Sequence, residues 1–403
     1  MSDVDSASFL TVLPGKNFSG RSRYLKSLVA SEKRDENLYL GELATHYISG
    51  IFPTVKEEIN LHLSKADKNT TEIIKHLFSI YGFEKHLNKN PFLLSGGEQT
   101  ILALLCHLLL QPDVLAVDTT LEQLNEEWRI PVWNAIQKGD FPQTKVFLAD
   151  NRLNEYKSDC IKNFSAFENN EIFKWKFNLP VVNDSIEYEK VSQDIQLNNL
   201  SFSYQKNEKI LENICLKLES NNIYHLEGAN GAGKSTLAKI LCGILKINKQ
   251  QLFINGKEFD AYKYPGQLAG YSFQNPDEQL FSSGIEKEIL YPLKKEPADY
   301  TQRRENYIQM FGLQDIRNAH PSELPFVMRK RVALAATLAM DRPWYILDEP
   351  TLGQDDNFVF FLIGLLNNLT KRGKGIIIIS HSCTLTNNIK CKKLFLQNKK
   401  ITF

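Results

Sequence analysis

Neither sign of charge is in excess in this sequence. Its 48 Lys and Arg stand against 47 Asp and Glu, a net charge of +1 over 403 residues. That balance argues against a general nucleic-acid binder, which carries a strong basic excess. Cysteine is sparse: Cys106, Cys160, Cys215, Cys242, Cys383 and Cys391, with no two in CxxC spacing. They read as free thiols of a reducing cytosol, which excludes a disulfide framework or an iron–sulfur site. Long apolar runs are missing too. ILALLCHLLL at 101–110 and VFFLIGLL at 359–366 fall well short of the ~18 residues of a membrane-spanning helix. MSDVDSASFL is acidic and too weakly apolar for a secretory leader. The expectation is a soluble chain of two domains whose membrane link, if it has one, runs through a partner.

What is present centres on one stretch: Gly228, Ala229, Asn230, Gly231, Ala232, Gly233, Lys234, Ser235 and Thr236. The spacing G-x-x-x-x-G-K-[ST] builds a loop whose backbone N–H groups surround phosphate oxygens. Glycine permits positive φ and close backbone approach to an anion. A helix expected from Lys234 onward adds its positive N-terminal dipole. Lys234 suits β/γ-phosphate as a flexible point charge, and the Ser235 hydroxyl suits Mg²⁺. The preceding NNIYHLEG reads as a strand entering the loop. This predicts a nucleotide-phosphate site.

The N-terminal half repeats the plan imperfectly. After the strand candidate SFLTVL, Gly15, Gly20 and Ser22 fall on Gly228, Gly233 and Ser235, while Arg21 takes the lysine position. Phe18 and Arg23 replace a glycine and the last hydroxyl. Further on, a constant offset of 230 superposes VKEEI on IEKEI, Pro91 on Pro321, Leu94 on Leu324, and Asp118 on Asp348. The halves are therefore expected to be paralogous α/β domains, the first pared down: it has too few residues before its loop for the two strands expected in QLNNLSFSYQKNEKILENICLKLES. Between them, 152–192 reads as a bridging segment in which Phe173, Trp175 and Phe177 alternate.

Further groups belong to the same chemistry. WYILDEP ends an apolar strand in Asp348 and Glu349, a Mg²⁺ ligand and a general base for water when they stand beside a phosphate loop. In isolation such a pair would be an acidic turn. GIIIISHS ends another buried strand in Ser380 and His381, and the histidine is placed to reach a γ-phosphate and hold the base. Gln274, unremarkable alone, offers a polar side chain to metal and water. In the first half, Ser95 is expected to cap a helix at which Gly96 and Gly97 expose N–H donors, a second anion device. Pro325, Phe326, Val327 and Met328 stand at the corresponding place in the second half, and Pro325 and Phe326 cannot form that nest.

Together these motifs resemble an ATP-binding cassette (ABC) ATPase with two nucleotide-binding domains fused in one chain. The fold so implied is α/β: two tandem P-loop NTPase domains, each a mainly parallel sheet with flanking helices and a helical subdomain, the N-terminal copy truncated. Boundaries are expected at 1–151, 152–192 and 193–403. The resemblance makes 228–236 the Walker A loop, Gln274 the Q-loop residue and 344–349 Walker B. It makes His381 the switch histidine, Gly353, Gln354 and Asp355 the D-loop, and Tyr204 the adenine-stacking aromatic. Leu94, Ser95, Gly96, Gly97 and Glu98 form the signature, with glutamate where glutamine is usual. ATP and Mg²⁺ are the implied ligands, the ion on Ser235, Gln274 and Asp348.

Head-to-tail pairing in this family sets each Walker A loop against the opposite signature. Every loss here then falls on one interface: Arg21, Phe18 and Arg23, with Ala44 for the glutamine, Thr119 for the base and Asn151 (or Asp150) for the histidine. One hydrolytic and one degenerate site are expected. FQNPDEQLF resembles the Q-loop of energy-coupling-factor importers of cobalt, nickel and vitamins. The resemblance implies a transmembrane T component, a substrate-binding S component and a peripheral place on the cytoplasmic face of the membrane, with Asp277 and Glu278 meeting basic residues of the partner. The alternative is a non-transport cassette protein of translation or DNA maintenance. Such twin-cassette proteins keep two good signatures and a long charged linker, and this chain has neither.

Overall fold

Apolar runs flanked by polar turns make the strands, and their near-continuous burial marks them as strands of parallel sheets covered on both faces. The computed structural model describes residues 10–13, 21–31, 37–41, 44–63, 65–94, 96–118, 124, 126–150, 193–205, 208–229, 231–291 and 300–402. The chain divides into two compact units, Met1–Trp175 and Lys176–Phe403. The bridging segment expected at 152–192 lies outside the described residues, as do Ser95, Thr119, Asn151 and Asn230.

In the first unit the order is β1 (Leu10–Leu13), α1 (Arg21–Ser31), β2 (Leu38–Leu40), α2 (Val55–Leu63), α3 (Lys68–Ile80), α4 (Gly96–Leu109), β3 (Val114–Asp118), α5 (Glu126–Lys138) and β4 (Lys145–Ala149). The four strands form one parallel sheet in the order β1-β4-β3-β2. Its core joins Val117 and Leu148 of the sheet to Ile101 and Leu104 of α4 and to Ile74 and Phe83 beyond.

The second unit opens with two long antiparallel strands, β5 (Ile195–Gln205) and β6 (Glu208–Leu218), as the sequence predicts. It continues through β7 (Ile223–Glu227), α6 (Lys234–Leu241), β8 (Leu252–Ile254), β9 (Lys257–Glu258), β10 (Ala269–Ser272), α7 (Ile285–Leu290), α8 (Tyr300–Met310) and α9 (Phe326–Ala339). The last elements are β11 (Trp344–Asp348), α10 (Asp356–Lys371), β12 (Gly375–Ile379), α11 (Cys383–Asn388), β13 (Lys392–Gln397) and β14 (Lys400–Thr402). One sheet runs β10-β11-β12-β7-β13-β14, parallel except for the final hairpin; a second runs β6-β5-β8-β9.

Read in chain order, β1-β4-β3-β2 and β7-β12-β11-β10 are the same arrangement. Val114 and Trp344 open matching strands 230 positions apart, and so do Lys145 and Gly375; Gly96 and Phe326 open matching helices at that offset. Side chains follow suit. Tyr39 donates to Asp118 Oδ2 at 2.6 Å, and Tyr271 to Asp348 Oδ2 at 3.0 Å. Buried Glu58 accepts Ser49 N–H and Oγ–H, and buried Glu288 accepts Phe281 and Ser282 N–H. Register pairs Asp348 with Ile379, which puts the carboxyl ends of β11 and β12 side by side. In open α/β sheets ligands bind outside such ends.

Candidate functional site

β7, buried through Leu226, delivers the chain to the glycine-rich loop. Gly231 and Gly233 have φ of +77° and +108°, where a side chain would be strained. Gly228 is required for a different reason than the expected backbone freedom: a Cβ there would lie 2.5 Å from the Leu396 carbonyl of β13. α6 begins at Lys234, as expected, and the Lys234 ammonium donates to the carbonyls of Gly228 (2.6 Å) and Ala229 (3.1 Å). Burial lowers its pKa, opposed by the carboxylates of Asp348 and Glu349. The Ser235 hydroxyl donates to Asp348 Oδ2 at 2.9 Å. Tyr204, 58% exposed, sets its hydroxyl 3.2 Å from Thr236 Oγ1.

Glu349 has φ +44°, a left-handed conformation that a non-glycine residue holds only when its surroundings impose it. The imposition is visible. Its N–H donates to Ile379 O at 2.8 Å, its Oε2 accepts Ser380 Oγ–H at 3.1 Å, and the His381 N–H reaches Oε1 and Oε2 at 3.1 and 3.3 Å. The half-exposed His381 ring stands 3.8 Å from Oε1. Burial pushes the Glu349 carboxyl up to about 7, despite the stabilising His381 N–H, Ser380 hydroxyl and Lys330 ammonium. A carboxyl poised there titrates near neutral pH, the range that suits a general base. Lys234, Ser380 and His381 line a cleft of about 280 Å³ with Gly228 and His225.

Two neighbours of these groups escape sequence reasoning. Buried His225 stands 2.9 Å from Ser380 O and 3.0 Å from Glu227, beneath the cleft. Lys330, fully buried in α9, donates to Phe273, Gln274 and Asp348 carbonyls. In the string RKRVALAA it reads as an exposed charge, and no local signal distinguishes it. Gln274 itself is exposed at the end of β10. Asp277, expected to await a partner's basic residue, is instead paired inside the unit with Arg329 at 2.7 Å, because α9 passes directly beside its loop. Asp355 caps α10 through Phe358 N–H, and Gln354 bonds Arg331 and Val327 O.

In the first unit Gly96 and Gly97 open α4, and Glu98 Oε1 lies 3.0 Å from buried His86. Arg21 opens α1, buried, and donates to the Leu13 carbonyl at 3.3 Å. The second unit's counterpart of α4 begins instead with Phe326, Val327 and Met328, all buried, behind Pro325.

Residues 211–352 match the family described as "ABC transporter". A protein of Pyrococcus horikoshii named as an ABC transporter ATP-binding protein is 31% identical over 215 residues, covering 52% of this chain and 82% of that relative. The chain belongs to this family. A second such ABC transporter ATP-binding protein, from Clostridium perfringens, is 26% identical over 410 residues, covering 86% of this chain and 72% of the relative. Among solved structures, cbiO1 of Clostridium perfringens, part of the ABC transporter complex cbiONQ, aligns at 26% identity and a TM-score of 0.46 over 52% of this chain and 86% of that one.

The protein is an ABC ATPase: it binds ATP and hydrolyses it, on the P-loop α/β fold of the second unit. Among the described residues no helix is long and apolar enough to cross a membrane.

Proposed function

We propose that this ABC ATPase energises import of a small solute, a metal ion or a vitamin, through membrane partners of the T and S kinds, from the cytoplasmic face of the membrane. In this reading 1–151 is a degenerate cassette carrying the signature 94–98, 152–192 bridges, and 193–403 is the intact cassette. The two halves pair within the chain to make one competent ATP site. Tyr204 stacks the adenine, 228–236 holds the phosphates, Glu349 activates water, and His381 and Gln274 assist. Ser95, Gly96, Gly97 and Glu98 complete the site from the first unit.

One observation carries the composite site: α4 opens with two glycines whereas α9 opens with three buried apolar residues behind a proline. Of these two helices, α4 is the one whose N-terminus offers backbone donors to a phosphate. The matching strand order and the 230-residue offset support two cassette copies. So does the Clostridium perfringens relative, since 86% of the chain exceeds the second unit alone.

Mg²⁺ fits the donors present. Ser235 Oγ and Asp348 Oδ2 are hard oxygens 2.9 Å apart, with Gln274 as the third candidate. Such ions keep several waters and take one or two protein oxygens beside phosphate oxygens. When bound, the ion neutralises charge on the phosphates. Lys234 orients the nucleotide, and Ser380 and the His381 N–H fix the carboxylate that takes a proton from water.

With Asp277 held by Arg329, the charge contact to a membrane partner falls to Glu278, flanked by Phe281, 67% exposed. Purification of the tagged chain from detergent-solubilised membranes tests the transport reading. Recovery of a stoichiometric multi-span membrane protein is expected; recovery only with ribosomes or DNA would overturn it.

A further inference from the structure

An ammonium group has three N–H donors and no acceptor, and burying it is unfavourable unless all three are bonded. Lys330 meets that condition. It is 0% exposed, and its Nζ donates to Phe273 O at 2.6 Å, Asp348 O at 2.8 Å and Gln274 O at 3.1 Å. These carbonyls come from the chain leaving β10 and from the last residue of β11. One side chain of α9 thus fastens together the chain segments that carry Gln274 and the Asp348–Glu349 pair.

Two other loop side chains strap 273–279 to α9: Asp277 through Arg329, and the Gln279 amide through Ala333 O and Thr337 Oγ1 at 2.9 and 3.0 Å. Neither reaches β11. Of these three attachments, Lys330 alone transmits a displacement of α9 to the strand end bearing the base. The first unit has Thr100 at the same offset, and its hydroxyl donates to Gly96 O within α4, at 2.9 Å. The clasp accompanies Glu349 and is replaced by a local helix bond in the other unit.

From this geometry we infer that Lys330 is a positioning residue for ATP hydrolysis, holding the Gln274 loop and the Asp348–Glu349 strand end in fixed register with α9. It acts through backbone carbonyls and touches no reacting atom. Losing it lets two neighbouring loops drift by fractions of an ångström, a scale at which turnover suffers while the Lys234 ammonium, anchored to its own loop's carbonyls, still holds nucleotide.

The test uses the full chain with Lys330→Met, which keeps length and removes every donor, and Lys330→Gln, which restores an amide donor. Steady-state ATPase of Lys330→Met is expected to show kcat reduced about tenfold to a hundredfold with KM for ATP changed less than about threefold. Lys330→Gln should recover part of kcat. Hydrogen exchange should quicken at Phe273, Gln274, Asn275 and Glu349 while 345–347 stay protected. Unchanged kcat in Lys330→Met would overturn the inference. So would uniformly faster exchange across α9 and the sheet with kcat and KM altered together, the pattern of a merely structural lysine. If Lys330→Met does not fold, Lys330→Gln alone decides: a lowered kcat at constant KM with local exchange supports the clasp, and wild-type kinetics and exchange overturn it.

Discussion

Ser380 Oγ donates a 3.1 Å hydrogen bond to Glu349 Oε2, joining the residues that follow β12 and β11. Ser380 in turn offers its carbonyl to buried His225. The carboxylate is therefore held from a neighbouring strand as well as by its own turn, and its direction is fixed in the resting protein. In the role proposed for Glu349, preorganisation of this kind places rate enhancement in the geometry of the resting protein.

Glu349→Gln keeps the size and the acceptor oxygen but cannot take a proton. Phosphate release by the purified chain is expected to fall at least about a hundredfold. Retention of labelled ATP in equilibrium dialysis should persist, because Lys234 and the loop are untouched. Undiminished turnover would remove Glu349 from its role.

The same substitution has a stability signature with a definite sign. The folded-state pKa of Glu349 lies at about 7, above its ordinary 4.5, because burial disfavours the charge. Its favourable contribution is present below pH 4.5 and is lost as pH rises through 7. Without nucleotide and Mg²⁺, Glu349→Gln should therefore unfold at a higher temperature than wild type at pH 7.5, by on the order of 1–3 kcal/mol of stability. That advantage should shrink towards zero at pH 5. Thermal melts at both values check it; an equal difference at both pH values would mean that ionisation is not the cause.

Much of this was readable because the signals are local. VLAVD and GIIII are continuous apolar runs, and they form the buried strands β3 and β12. The loop at 228–233 and the helix from Lys234 follow from glycine spacing alone. What stayed hidden depends on partners far along the chain. Arg329, Lys330 and Arg331 look like a solvated charge run, yet all three are buried, each bonded to a loop 23 to 57 positions away. Gly228 is needed because of Leu396, a neighbour that only the sheet order supplies. The Asp277 pairing was hidden for the same reason.

The composite site proposed above makes a sharper demand on Gly96. A Cβ added at Gly96 meets no atom within 4 Å, so a side chain fits without repacking. An aspartate in the first turn of α4 also complements the helix dipole, which favours folding by about 0.3–1 kcal/mol. Gly96→Asp should thus melt at or slightly above the wild-type temperature. Yet if α4 closes on the γ-phosphate held by the Lys234 loop, the new carboxylate faces like charge exactly where donors are required, and hydrolysis should drop at least about tenfold. The residue lies in the first unit, far in sequence from every group that does chemistry. Wild-type ATPase in a well-folded Gly96→Asp protein would mean that the second unit hydrolyses ATP without the first.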